Sequence, residues 1–269
     1  AIISRVLEHA GYRVAVVPQP NWRDDLRDFK KLGTPRLFFG VNSGSMDSMV
    51  NHYTSTKRLR SNDAYTPGGI AGQRPDYAVT VYSTILKELY PDVPVVLGGI
   101  EASLRRFSHY DYWSDSYKPS ILIDSKADML IYGMGERPIV AIAKALNEGK
   151  KISDLTEIPQ TAYLATTLEN CAKKPVELYS YEDCLKNKIL DAKNFRIIEE
   201  QSNAWRAEKI AQRFGDNYVV VNEPDFQMTT EELDAVYALP YSRLPHSRYA
   251  KKPPIPAFEM IKDSVTIHR

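Results

Sequence analysis

At 269 residues with 43% hydrophobic side chains, the chain exceeds the common single-domain size and can bury a large core, which points to one α/β domain with a substantial appendage or to two domains. Thirty-five Lys and Arg against 34 Asp and Glu leave a formal charge of +1, which argues against a whole-surface attraction to nucleic acid or anionic membrane, so any basic patch is local. Two cysteines, Cys171 and Cys184, with no histidine at ligand spacing speak against a zinc site, and no run of about 18 apolar residues or charged-then-apolar leader is found, so the expectation is no membrane span, no export and a reducing cytoplasm.

The chain opens on Ile2, Ile3, Val6, Leu7 and Ala10, which recur at helical spacing, with Gly11 placed to end the helix. A helix without a lead-in, beginning on Ala1 rather than Met, reads as an internal piece of a longer protein. Four runs rich in Val, Ile, Leu and Phe follow, at residues 13–17, 36–41, 93–97 and 129–132. Near-continuous apolar runs are what a parallel strand covered on both faces requires. Between them lie helical patterns: Ala78, Val81, Tyr82, Ile85, Leu86 and Leu89 share one face over residues 75–90, and Pro138 opens an apolar helix that Gly149 closes. This alternation predicts an α/β fold with an open, mostly parallel sheet and helices on both faces. Residues 162–165 and 175–178 read as an edge strand or hairpin where the alternation lapses, and the first domain is expected to span residues 1–179.

From Ser180 a capped, highly charged helical stretch is predicted to run to about Phe214, with too narrow an apolar face for a core helix. Residues 218–221 read as a strand, and Thr229 with Glu232 offers a capping box for a short helix ending before Pro240. Pro240, Pro245, Pro253, Pro254 and Pro256, with Lys251 and Lys252 among them, predict an extended, semi-rigid connector rather than a packed element. Residues 180–256 are thus expected to be a helical extension and Pro-rich linker. Residues 257–269 begin a further domain, helical over 257–263 and then alternating like a strand over 264–269, where the text stops.

Ligands of open parallel sheets bind at the carboxyl ends of the strands. Three loops there carry small or polar residues, and the candidate binding residues are Ser43, Gly44 and Ser45 in the first, Gly98, Gly99 and Glu101 in the second, and Gly133, Gly135 and Glu136 in the third. Glycines close such turns in any doubly wound fold, and a lone glycine motif is a weak signal; three at one edge make the stronger case. Two of the connections are much longer than usual. Residues 45–74 hold His52, Tyr53, Lys57, Arg58, Arg60, Tyr65 and Arg74, and residues 105–120 hold Arg105, Arg106, Phe107, His109, Tyr110, Tyr112, Trp113 and Tyr117. Interleaved aromatic and basic side chains suit a nucleotide- or RNA-binding module. Packing over the sheet edge or against another domain is the reading the neutral charge favours. No nucleophile elbow and no P-loop occur, and the five histidines are scattered, so no residue is assigned a catalytic or metal-ligating role.

Leu97-Gly98-Gly99, followed by Ala127-Asp128-Met129-Leu130-Ile131-Tyr132-Gly133-Met134-Gly135-Glu136, resembles the signature of the cobalamin-binding-like domain that precedes many radical S-adenosylmethionine (SAM) domains. Asn42-Ser43-Gly44-Ser45-Met46-Asp47-Ser48-Met49-Val50-Asn51-His52-Tyr53, Gly99-Ile100-Glu101-Ala102-Ser103-Leu104-Arg105-Arg106 and Ser264-Val265-Thr266-Ile267-His268-Arg269 resemble the YgiQ-type radical SAM family of bacteria, over nearly the whole chain. The resemblance implies a Rossmann-like (flavodoxin- or cobalamin-binding-like) sheet, with residues 264–269 as the first strand of a radical SAM barrel. The next residues would carry the C-x-x-x-C-x-x-C run that holds a [4Fe-4S] cluster. It also implies that the full-length protein cleaves S-adenosylmethionine reductively to act on an unknown substrate, that the barrel of the same chain is this segment's partner, and that the segment binds no cofactor of its own. Two departures stand out. The cluster cysteines are absent, and the Asp-x-His-x-x-Gly motif of cobalamin-binding relatives has no counterpart, which puts cobalamin in doubt.

Overall fold

The computed structural model describes residues 1–264, so the expected strand at 264–269 lies, apart from Ser264, outside the described residues. Nine strands are present among them: β1 (Phe39–Val41), β2 (Val95–Leu97), β3 (His109–Asp111), β4 (Ser116–Lys118), β5 (Met129–Ile131), β6 (Thr161–Ala165), β7 (Val176–Glu177), β8 (Ile210–Phe214) and β9 (Asn217–Val221). Seven of them make one sheet in the order β1-β2-β5-β6-β9-β8-β7, while β3 and β4 form a separate antiparallel hairpin.

The β1-β2-β5 half is parallel, as the apolar runs predict. Every residue of β2 and β5 is buried, because alternate side chains enter cores on opposite faces. On one face Val95, Leu97 and Leu130 meet Val79, Tyr82 and Leu86 of the helix Ala78–Leu89 together with Ile121 and Leu122. On the other, Val96, Met129 and Ile131 meet Leu7 of the helix Ile2–His9 and Ile139, Ile142 and Ala143 of the helix Glu136–Asn147. Each fully buried Leu or Ile contributes about 1.5–3 kcal/mol, so this double-sided packing is what fixes the loop-bearing edge in place.

Beyond β5 the sheet changes character. The pairs β5/β6, β6/β9 and β8/β9 are antiparallel, and β7/β8 is again parallel. The sheet therefore runs across the expected division near Ser180, since β8 and β9 lie between β6 and β7. β8 replaces the end of the expected helical stretch, whose sequence Ile-Ala-Gln-Arg-Phe continues the charged pattern without a break signal. Its buried Gln212 sits in the sheet because its side chain is satisfied: the oxygen accepts from the Ser108 N–H at 3.0 Å, and the amide nitrogen reaches the Ser108 hydroxyl at 2.6 Å and Tyr179 O at 3.2 Å. The stretch itself divides into the helices Tyr181–Lys186 and Lys188–Asn203, the second capped by Asn187, whose side chain accepts from the Ile189 N–H at 3.0 Å.

Three other expectations are corrected. Residues 13–17 form no strand: Tyr12 and Val14 lean on the second core, Val16 is exposed, and without a ladder partner an extended run remains coil. Pro138 does not open its helix, which starts at Glu136; as the third helical residue its missing N–H is among those with no intrahelical partner anyway. The Pro-rich connector is docked rather than free. Gly68 donates its N–H to Pro254 O at 2.8 Å and Ala257 donates to Ala64 O at 2.8 Å, while Arg248 holds Pro18 O at 2.9 Å and Asp28 at 2.7 Å. Prolines supply acceptors without donors, and the long loop at residues 62–70 supplies the matching donor. The capping box forms as expected, with Thr229 accepting from the Glu232 N–H at 3.2 Å and Glu232 accepting from the Thr229 N–H at 2.8 Å. Among the described residues no helix is long and apolar enough to cross a membrane.

Candidate functional site at the carboxyl edge of the sheet

The loops after β1, β2 and β5 lie side by side. Gly98 donates its N–H to Val41 O at 2.9 Å, and the exposed Gly99 has φ +81 with a Cβ position only 3.3 Å from Asn42 Cβ. Any other residue at Gly99 would carry both the strained backbone and the close contact. Gly133 has φ +65, and Gln160 braces its loop by donating to Tyr132 O and Met134 O, each at 3.1 Å. Gly44 has φ +97 and donates its N–H to the Asn42 side chain at 2.8 Å, leaving Gly44 and Ser45 exposed.

The remaining candidates point elsewhere. Ser43 is buried, its hydroxyl donates to Met46 O at 2.8 Å and its carbonyl accepts from Arg74 at 3.0 Å. Glu101 is 1% exposed, with one carboxylate oxygen accepting from the Ser48 N–H at 2.8 Å and the other from the Val79 N–H at 2.9 Å. These are first-turn donors of the helices Ser48–His52 and Ala78–Leu89, so Glu101 ties two helix starts together. Gly135 lies under Ile3, whose Cδ1 is 3.2 Å from a Cβ built there. Glu136 opens its helix and has a buried oxygen, Oε2, with no partner among the described residues.

Aspartates that the sequence did not single out hold the two long loops. Asp47 caps the helix Ser48–His52 by accepting from the Met49 and Val50 N–H groups at 2.9 and 3.1 Å, and pairs with Arg105. Asp63 and Arg74 form a buried pair at 2.9 Å; burial works to raise the Asp63 carboxyl, but Arg74 and the Tyr65 N–H outweigh it and hold it below the usual range. Asp76 accepts from the Tyr53 hydroxyl at 2.7 Å and lies 2.8 Å from His52 Nδ1. Asp111 accepts from the Tyr77 hydroxyl at 2.6 Å, and Asp191 from the Tyr117 hydroxyl at 2.7 Å. Asp47 preceding Ser48 was the one legible signal, as a residue type that caps helices; the other four pairings join distant segments.

The aromatic side chains are engaged with one another. Tyr117 stacks on Tyr181 at 5.7 Å and Tyr181 on Phe214 at 5.6 Å, while Trp113 meets Tyr53 at 5.6 Å and Tyr112 at 5.3 Å. The Tyr112 hydroxyl donates to Ser55 O at 2.7 Å, fastening one long loop to the other. Rings already stacked and bonded in this way offer few free faces to a base.

Cys171 and Cys184 do not fit an iron–sulfur cluster. The Cys184 thiol is buried, with Tyr179 O at 3.8 Å and the Asn194 amide nitrogen at 3.2 Å, whereas Cys171 packs on the other face against Tyr163, whose hydroxyl is 3.8 Å from its sulfur. Three thiolates converging from a short loop are what such a cluster needs. Among the described residues no group of three or more His, Cys, Asp or Glu is placed to hold a metal ion.

Comparison with known proteins places this fold in context. The family model described as "Radical SAM N-terminal" matches residues 1–264. A UPF0313 protein of Bacteroides thetaiotaomicron is 57% identical over 281 residues, covering 100% of this chain and 45% of the relative. One of Porphyromonas gingivalis is 56% identical over 275 residues, covering 100% and 43%, and one of Clostridium botulinum is 47% identical over 269 residues, covering 100% and 41%. The chain thus spans less than half the length of these curated relatives. No solved structure matches it. With the match running through the sheet, both long loops and the docked Pro-rich segment, the chain belongs to the radical SAM N-terminal family, in its YgiQ-type, UPF0313 branch.

Proposed function

We propose that this chain is the N-terminal accessory part of a cytoplasmic radical SAM iron–sulfur enzyme, whose remaining portion carries the [4Fe-4S] cluster and cleaves S-adenosylmethionine reductively to act on a substrate still to be found. The family match over residues 1–264 carries the proposal. The chain's own residues supply no cluster ligands on this reading and no catalytic group. Their work is to build a rigid edge: Glu101 and Asp47 fix two helix starts beside the glycine loops, and the Pro-rich segment clamps the 45–74 loop. Large apolar side chains left open on the C-terminal half, Trp205 at 95% and Phe226 at 88% exposure, together with Met260, suit burial against the rest of the polypeptide. Engagement of the loop aromatics with one another favours this reading over a nucleic-acid groove.

Amide exchange tests it. In the full-length protein the segments around Trp205, Phe226 and Met260 are expected to exchange more slowly than in the chain expressed alone. Equal exchange in the two, with RNA binding that weakens steeply with salt, would favour the binding-module reading instead.

A further inference from the structure

Six arginines among the described residues are buried or half-buried: Arg5, Arg74, Arg105, Arg106, Arg137 and Arg248. Five of them hold a carboxylate within 4.0 Å, and Arg106 does not. Its guanidinium lies over two rings, 5.3 Å from the Phe107 centroid and 5.1 Å from that of Tyr132, the residue that follows β5. One donor is used: Nη1 bonds Ser103 O at 2.7 Å. Nε is buried with no acceptor, and Nη2 has none among the described residues. These last two N–H groups form the edge that meets a carboxylate or phosphate bidentately. Tyr132 leads directly into the exposed Gly133-Met134 turn, where an open sheet receives its ligands.

We propose that Arg106 anchors an oxyanion, the carboxylate or phosphate of a ligand seated beside the glycine loop after β5, through its free Nε and Nη2 edge. Three features carry this: the missing carboxylate at a half-buried cation, the unpaired bidentate edge, and the position beside the loop. Burial also lowers the guanidinium from its ordinary value, with only Tyr132 and, through space, Glu199 acting in the other direction, so a bound anion would relieve an uncompensated charge. The contacts with both rings help to orient the fork, as cation–π contacts orient arginines elsewhere.

The test is thermal unfolding of the full-length protein titrated with pyrophosphate and, separately, succinate, at constant ionic strength. A saturable rise in Tm with pyrophosphate alone assigns a phosphate ligand, and one with succinate alone a carboxylate; both support the proposal if R106Q abolishes the rise while R196Q, on an exposed helix, keeps it. Should R106Q fail to fold, R106K serves, since it keeps the charge without the fork and is expected to raise the half-saturating concentration roughly tenfold. A rise unchanged in R106Q, or in R106K where that stands in for it, overturns the proposal, as does the absence of any saturable rise with either anion.

Discussion

Replacing Glu101 by Gln is expected to destabilise the fold far more than a like change on its surface. Both carboxylate oxygens of this 1%-exposed side chain accept backbone N–H groups, from Ser48 at 2.8 Å and Val79 at 2.9 Å. Glutamine keeps the volume but turns one acceptor into a donor that faces a backbone donor. Losing one charge-assisted hydrogen bond costs about 1.5–3 kcal/mol, and removing the negative charge from two helix starts adds about 0.3–1 kcal/mol at each. Together these give about 2–5 kcal/mol. Urea unfolding reads this as a midpoint lowered by about 1–2.5 M with an unchanged slope, for a slope of about 2 kcal/mol/M. The exposed Glu88 gives the control, since E88Q is expected to stay within about 0.5 kcal/mol. A Glu101→Gln loss no larger than that of the control would refute the view of Glu101 as a tie between helices and return it to the ligand-binding candidates.

Asp28 joins the segment before β1 to Arg248 of the Pro-rich strip, and its pKa is lowered from 3.8 to about 2: burial pushes it up, but hydrogen bonds from Lys31, the Asn21 N–H and Arg248 outweigh that. A depressed carboxylate gives stability that is present above its unfolded pKa and lost as pH falls through the folded one, so docking of the strip should weaken between pH 3.8 and about 2, with D28N already weakened at pH 7. Amide exchange at Tyr249 and Lys252 reads this, and identical exchange in D28N and the parent contradicts it. At Gly99 an alanine meets φ +81 and Asn42 at 3.3 Å, whereas at Gly149 it meets φ +88 but open space. G99A should therefore unfold at the lower temperature, both losing about 1 kcal/mol or more to backbone strain. T229A removes half of a capping box and should cost about 1 kcal/mol locally, seen as faster exchange confined to the helix Thr230–Tyr237.

What was legible in the sequence followed from local rules. The runs ending at Leu97 and Tyr132 contain strands because continuous apolar side chains can be satisfied only by cover on both faces, and Thr229-to-Glu232 spacing needs no tertiary context. Ile210–Phe214 is not legible because Gln212 and Arg213 break the apolar run, and Gln212 is tolerated in the sheet only through distant partners, Ser108, 104 residues away, and Tyr179, 33 residues away. The strand expected at 13–17 failed for the converse reason, a local pattern with nothing to pair with. In the candidate site, Gly44, Gly99 and Gly133 were legible because positive φ at a strand end selects glycine. That Glu101 and Ser43 turn inward depends on which helix starts meet them, and the carboxylate missing from Arg106 can be noticed only once the other five arginines are seen to have theirs.

The most direct measurement on the central claim is the iron and sulfide content of the full-length protein purified without oxygen, together with its consumption of S-adenosylmethionine under reducing conditions. About four irons and four sulfides, lost when cysteines lying outside this chain are replaced while Cys171 and Cys184 remain, is the predicted result. An intact full-length protein free of iron and inert toward S-adenosylmethionine would contradict the account.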